Sequence, residues 1–291
     1  MRYGLLAVVL IGATTLGGCT DGVLDPQGPI ALAERQILLN ALGIMLAIVI
    51  PVILAILVVA FWFRASNWRA TYLPDFEYSG RLELLVWSIP AMTVLLVGGV
   101  AWVGAHDLDP RKPISSSVKP VTVQVVSLDW KWLFIYPEQG IASVNHLTVP
   151  VGTPISFELT SSTVMNSFFV PQLGGQIYAM SGMVTRLHLQ ADHPGTYPGL
   201  SAMFSGDGFA DMRFMVDAVS NDKFAQWVSQ AREAGPVLDK QSYADLARPS
   251  KAIASFTYRA VAADLFTGVV NTASMTDDPS QLICSTSQRV E

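Results

Sequence analysis

Charge is scarce in this chain, and it is missing in blocks. Asp, Glu, Lys and Arg make up 14% of 291 residues, where a soluble domain carries about 25%. Residues 36–63 and 84–106 contain none of the four. That pattern excludes a wholly soluble protein, and 51% hydrophobic residues exclude a disordered one. Basic residues are in deficit as well, with 18 Lys and Arg against 23 Asp and Glu. A phosphate-binding surface needs the reverse balance, so nucleic acid is excluded as a partner. There is no Gly-rich phosphate loop and no internal repeat. Cysteine is limited to Cys19 and Cys284. If Cys19 is otherwise engaged, no intramolecular disulfide can form, and an exported domain must rely on its core or on a partner.

What is present reads in order along the chain. Met1–Arg2 opens a short positive region, Leu5 to Ile11 is apolar, and Leu16-Gly17-Gly18-Cys19 follows. A positive start, a short apolar core and small residues before a cut make an export signal over residues 1–18. The four residues ending at Cys19 resemble the lipobox of bacterial lipoproteins, which implies that the Cys19 thiol carries a lipid. The plain alternative is a free cysteine in an uncleaved anchor.

A segment over 19–36 leads into two uncharged stretches, 37–63 and 84–105, each long enough to cross a bilayer core that about 20 residues span. Trp62, Trp87 and Trp102 lie near their ends, as interfacial aromatics do. The loop 64–83 holds Arg64, Arg69 and Arg81, so the positive-inside rule puts it in the cytoplasm. Both ends of the mature chain then face the periplasm, in agreement with an exported anchor.

Residues 106–120 form a linker rich in Pro and Ser. From Val121 the period changes to two. Val121–Val125, Ile155–Leu159 and Val184–Leu189 alternate apolar with polar residues, and Gly, Pro and Asn clusters separate them. This predicts an all-β sandwich over 121–219. Phe224, Trp227, Val228 and Ala231 then fall at helical spacing. Residues 220–291 are therefore expected to form a helical arm and tail, with a second helical stretch within Ile253–Val270.

Three motifs carry a resemblance: Asp129-Trp130-Lys131-Trp132, Ser167-Phe168-Phe169-Val170-Pro171, and Tyr197-Pro198-Gly199 leading into Ser201–Met212. Together with the preceding hairpin they resemble subunit II of the haem-copper oxidases, over nearly the whole mature chain. The resemblance implies a cupredoxin-like domain. In the cytochrome c oxidases of that family the domain holds two copper ions through a His before Ser-Phe-x-Val-Pro and a loop Cys-x3-Cys-x3-His-x2-Met. Here those positions are Asn166, Ser201, Ser205, Phe209 and Met212, and Met203 stands where a Glu lends its carbonyl. Only the Met remains. Copper of this kind needs thiolates and imidazoles. A serine hydroxyl stays protonated at neutral pH, and Phe209 has no lone pair. A copper-bearing subunit II is thus the disfavoured alternative.

The resemblance points instead to the copper-free branch, the quinol oxidases of the cytochrome bo type. It implies that this chain binds no cofactor and has no catalytic site of its own. Haems, one copper and the ubiquinol site are expected in subunit I, with subunit I, the other subunits and membrane lipid as partners. The implied reaction oxidises ubiquinol, reduces dioxygen to water and pumps protons across the bacterial inner membrane. Trp130 and Trp132, two apart, are expected on one strand face, packed against the partner. Glu83 lies where the family has a carboxylate at a proton entrance into subunit I, and its plain alternative is an interfacial charge in solvent. Ser201, Ser205 and Asn166 are expected to hydrogen-bond one another. His146, His188 and His193 are read as ordinary strand or loop residues.

Overall fold

The computed structural model describes residues 22–71 and 73–276. Cys19, Cys284 and the export signal lie outside them. The described chain divides into two compact units, Ala33–Asp109 and the remainder.

The first unit is a pair of long apolar helices. Helix α1 spans Pro29–Trp62 and α2 spans Gly80–Asp107. Proline at the start of α1 is tolerated because its missing N–H would be unpaired there anyway. Pro51 and Pro90 lie inside the helices. The helices approach closely at Gly104, where an added Cβ would stand 2.6 Å from Ile37 Cδ1. Both helices run beyond the uncharged stretches, α1 starting at Pro29 rather than residue 37 and α2 at Gly80 rather than 84. Charge limits what a bilayer core accepts, whereas a helix continues until its caps. Glu83 consequently belongs to the first turn of α2, not to the loop.

The second unit is a β-sandwich. Strands β1 (Val121–Leu128), β2 (Lys131–Tyr136), β3 (Ile141–Val144), β4 (His146–Pro150), β5 (Ile155–Ser161), β6 (Asn166–Phe169), β7 (Ile177–Ala179), β8 (Thr185–Leu189), β9 (Gly195–Ser201) and β10 (Arg213–Val219) follow in chain order. They sort into two sheets, β3-β2-β1-β5-β8 and β4-β10-β9-β6-β7. Pairs β1–β5 and β4–β10 are parallel, and the other pairs within these two sheets are antiparallel. Period-two side chains from both sheets meet between them: Val123, Val125, Trp132, Phe134 and Phe157 against Phe168, Phe214 and Val216, all buried.

The arm departs most from the sequence reading. Helix α3 (Asn221–Glu233) is where the spacing placed it, capped by the Ser220 hydroxyl accepting from Lys223 N. Next come β11 (Val237–Leu238), α4 (Lys240–Ala247), β12 (Phe256–Tyr258), β13 (Ala260–Val261) and α5 (Leu265–Thr276). The helix expected within Ile253–Val270 is thus two short strands followed by the start of α5. Strand β12 pairs with β3 and becomes the edge of the first sheet. Leu238, Tyr258, Leu265, Phe266 and Val269 pack on Val126, Leu128, Leu133, Ile135 and Val144. The arm therefore closes a second core on the outer face of its own sheet. This is why all six residues of β2 are buried.

Residues 22–32 also join this unit. Gln27 N donates to Gln172 O at 2.7 Å and Asp192 N to Gln27 O at 2.8 Å. At Gly28 an added Cβ would fall 2.0 Å from Gln190 O, so only glycine admits that approach. The segment before α1 and the domain after α2 therefore lie on one side of any membrane the hairpin crosses.

Candidate functional site

The positions read as ligand-derived converge at one end of the sandwich. Asn166 opens β6, Ser201 closes β9, and residues 202–212 form the loop into β10, ending in a 3₁₀ turn at Phe209–Asp211. Backbone bonds hold this loop: Ser201 N to Met212 O at 3.1 Å, Ala202 N to Ser167 O at 2.9 Å and Phe209 N to Gly206 O at 3.1 Å.

Side chains fill the space between. Asn166, Ser201 and Met212 are buried. The Ser201 hydroxyl shares its proton between Asn166 Oδ1 at 3.1 Å and Met203 O at 3.2 Å. Ser205 does not join them, because its hydroxyl points at Met212 Sδ, 3.9 Å away. The expected three-residue network is thus one amide–hydroxyl pair and a separate hydroxyl–thioether contact. Phe209 packs on the exposed Phe204, ring centroids 5.6 Å apart. This donor set does not suit copper. It offers an amide, two protonated alcohols and one thioether, with a phenyl ring where an imidazole would stand. Asn166 and Ser201 are already satisfied by each other.

The two tryptophans do different things. Trp130 is not on a strand; it sits in the two-residue turn between β1 and β2 with φ 64°. Its indole N–H donates to Ser205 O at 2.9 Å. Trp132 is on β2 and wholly buried, edge-on to Phe168 and Phe214 at 5.5 and 5.8 Å. The expectation that both pack against a partner fails for Trp132, which is core. The reason is the turn: it rotates Trp130 out of strand register, so a spacing of two no longer means one face.

Lys131, between them, is a residue whose role the sequence reading missed. It is fully buried and donates to Leu246 O at 2.9 Å and Arg248 O at 2.8 Å, at the C-terminal end of α4. A cation is favoured there by the helix dipole. A lone lysine inside Trp-Lys-Trp-Leu-Phe-Ile-Tyr was the signal. Burial lowers its pKa from the ordinary 10.5, with Asp129 opposing. The unfolded chain therefore holds that proton more tightly, and this group's contribution to stability rises as pH climbs through the window below 10.5. Hydrogen bonds from a charged donor contribute about 1.5–3 kcal/mol, less the desolvation of the ammonium. Lys131→Met is expected to speed amide exchange of residues 240–255 by about tenfold, the equivalent of about 1.4 kcal/mol. The amides of β5 to β9 should not change.

The histidines are structural where the structure gives them partners. His146 Nε2 meets Asp217 Oδ2 at 2.9 Å, and His188 Nδ1 lies 3.1 Å from Pro110 O. Among the described residues no group of three or more His, Cys, Asp or Glu could hold a metal.

A membrane hairpin feeding a two-sheet domain with this loop defines a haem-copper oxidase subunit II fold. The family described as "Cytochrome C oxidase subunit II, periplasmic domain" matches residues 138–219. The chain is 46% identical over 257 residues to "Cytochrome bo(3) ubiquinol oxidase subunit 2" of Pseudomonas aeruginosa, covering 88% of this chain and 78% of the relative. It is 46% identical over 272 residues to the protein of the same description from Pseudomonas putida, covering 93% and 87%. It is 48% identical over 258 residues to "Ubiquinol oxidase subunit 2" of Acetobacter aceti, covering 86% and 84%. The chain belongs to the ubiquinol oxidase subunit 2 family.

Proposed function

We propose that this chain is the second subunit of a proton-pumping terminal quinol oxidase. It anchors and shapes the complex, while ubiquinol oxidation and dioxygen reduction take place at haems and copper in subunit I. The observation that carries this reading is the ligand-poor loop. Asn166 and Ser201 satisfy each other, and Phe209 occupies an imidazole position. A domain built this way has no redox centre to load, so electrons must reach subunit I by another route, and a membrane quinol supplies one.

The proposed location rests on the basic loop between the helices and on the lipobox-like Leu16-Gly17-Gly18-Cys19. The hairpin crosses the inner membrane with Arg64, Arg69 and Arg81 in the cytoplasm, and the sandwich faces the periplasm. Cys19 carries the lipid that holds the N-terminus at the outer leaflet. Trp130, on the exterior, serves packing rather than electron passage.

The test is oxygen uptake by the purified complex. Ubiquinol should sustain turnover, and reduced cytochrome c should give none. Turnover with cytochrome c alone would overturn the reading.

Glu83 is the one residue of this chain assigned a part in proton entry. It is exposed in the first turn of α2, its backbone N–H bonded to Ser79 O at 2.9 Å. An acidic side chain is favoured in the first turn of a helix by the helix dipole. Glu83→Ala is expected to slow ubiquinol turnover several-fold, while subunit content and haem spectra stay unchanged. Full turnover at saturating quinol would remove the role.

A further inference from the structure

Trp130 is held in a left-handed conformation that bulky residues rarely adopt. Such strain persists where the surroundings over-determine it. Here the loop backbone lies against the ring. A Cβ added at Gly208 would stand 2.3 Å from the indole, so only glycine permits the contact. Lys251 Nζ lies 5.4 Å from the ring centroid, within cation–π range.

Lys251 sits midway along residues 248–255, the connection from α4 to β12. That connection is pinned on both sides. Lys131 holds the carbonyls of Leu246 and Arg248, and Asn145 Nδ2 donates to Ile253 O at 2.9 Å. Asn145 also accepts from Trp132 N at 2.9 Å, so one side chain ties the connection to β2. Between the pins, Ala252 turns the chain at φ 51°.

The surface beneath is acidic and aromatic. The turn and the loop carry Asp129, Asp207 and Asp211, with one basic group at the edge, Arg213, whose Nε donates back to Ala210 O at 3.4 Å. Phe204 is 75% exposed. Lys251 Nζ stands 4.0 Å from Asp207 Oδ2. A face of this chemistry fits a basic protein with an apolar rim.

We propose that Lys251, held in place by the pinned connection 248–255, is a built-in cap over Trp130 on this face. Lys251 takes, from within the chain, the place that a lysine of a basic partner protein would take over Trp130 and beside Asp207. Small basic proteins, electron carriers among them, are thereby kept off the exterior domain. The cap does not depend on which molecule feeds electrons to the complex, so its failure and that of the quinol reading are separable.

The test uses the complete detergent-solubilised complex with Lys251→Glu, Lys251→Gly and Lys251→Arg. Hydroxyl-radical oxidation of Trp130, read by mass spectrometry, should rise about two- to fivefold in the Glu and Gly variants. It should stay at the wild-type level in the Arg variant, and Trp68, 84% exposed, serves as the unchanged reference. Cytochrome c, as a basic probe at low ionic strength, should bind the Glu variant at least about tenfold more tightly than wild type. That binding should be lost at about 0.15 M salt. Ubiquinol turnover should be unaffected. Unchanged Trp130 oxidation, or equal probe binding by wild type and variant, overturns the proposal.

Discussion

Trp132→Ala is expected to destabilise the exterior domain by about 3–5 kcal/mol, the range for removing a large buried aromatic. Domain stabilities total only about 5–15 kcal/mol, so the variant should sit at the edge of folding. The size follows from position. Trp132 is fully buried and bridges the two sheets, touching Phe168 on β6 and Phe214 on β10, whose own rings stack at 5.0 Å. Both partners sit beside the ligand-poor loop, so a cavity here loosens the frame that positions Asn166 and Ser201. Trp132→Phe should cost far less. The indole Nε1 has no hydrogen-bond partner among the described residues, and removing an unpaired buried donor regains about 1–3 kcal/mol against the lost volume. Urea unfolding of the two variants checks both values. A Phe variant as unstable as the Ala variant would mean that the N–H has a partner, for instance a bound water.

The second large effect is a gain. Asn166→His, Ser201→Cys, Ser205→Cys and Phe209→His together, with Met212 and the Met203 carbonyl already present, should take the domain from no bound copper to about two ions per chain, with thiolate-to-copper absorption in the visible. The expectation rests on how the loop is held. The substitutions remove the hydroxyl contacts of Ser201 and Ser205, but three further bonds use only backbone atoms on the loop's side: Ser201 N to Met212 O, Ala202 N to Ser167 O, and the Trp130 indole to Ser205 O. Exchanging four side chains leaves each of these in place. Phe209→His alone should bind no copper stoichiometrically, because no thiolate is supplied. A folded quadruple variant that takes up no copper would show that the loop has lost the shape as well as the ligands.

Much of this was legible in the sequence because it rests on local patterns. Blocks without charge gave the hairpin, period-two runs gave β1, β5 and β8, and the motif spacing located Asn166, Ser201 and Met212 before any geometry. Helix α3 was legible from its spacing, but the arm beyond it was not. Strand β12 has three residues, too few for a period to show, and it is a strand only because β3 offers it an edge. Trp130 and Trp132 misled because a two-residue turn falls between them, and no spacing rule sees a turn whose φ is positive at a tryptophan. Lys131 drew no role from the sequence because the carbonyl it meets, that of Leu246, lies 115 residues further along the chain. These are non-local facts, fixed by which segment meets which.

The central claim is that this subunit contributes no metal centre to the complex it belongs to. Copper counted per purified, haem-replete complex tests that most directly. One copper atom per complex, all of it assignable to subunit I, is the predicted result. Three copper atoms per complex, with near-infrared absorption that disappears when this subunit is removed, would contradict it.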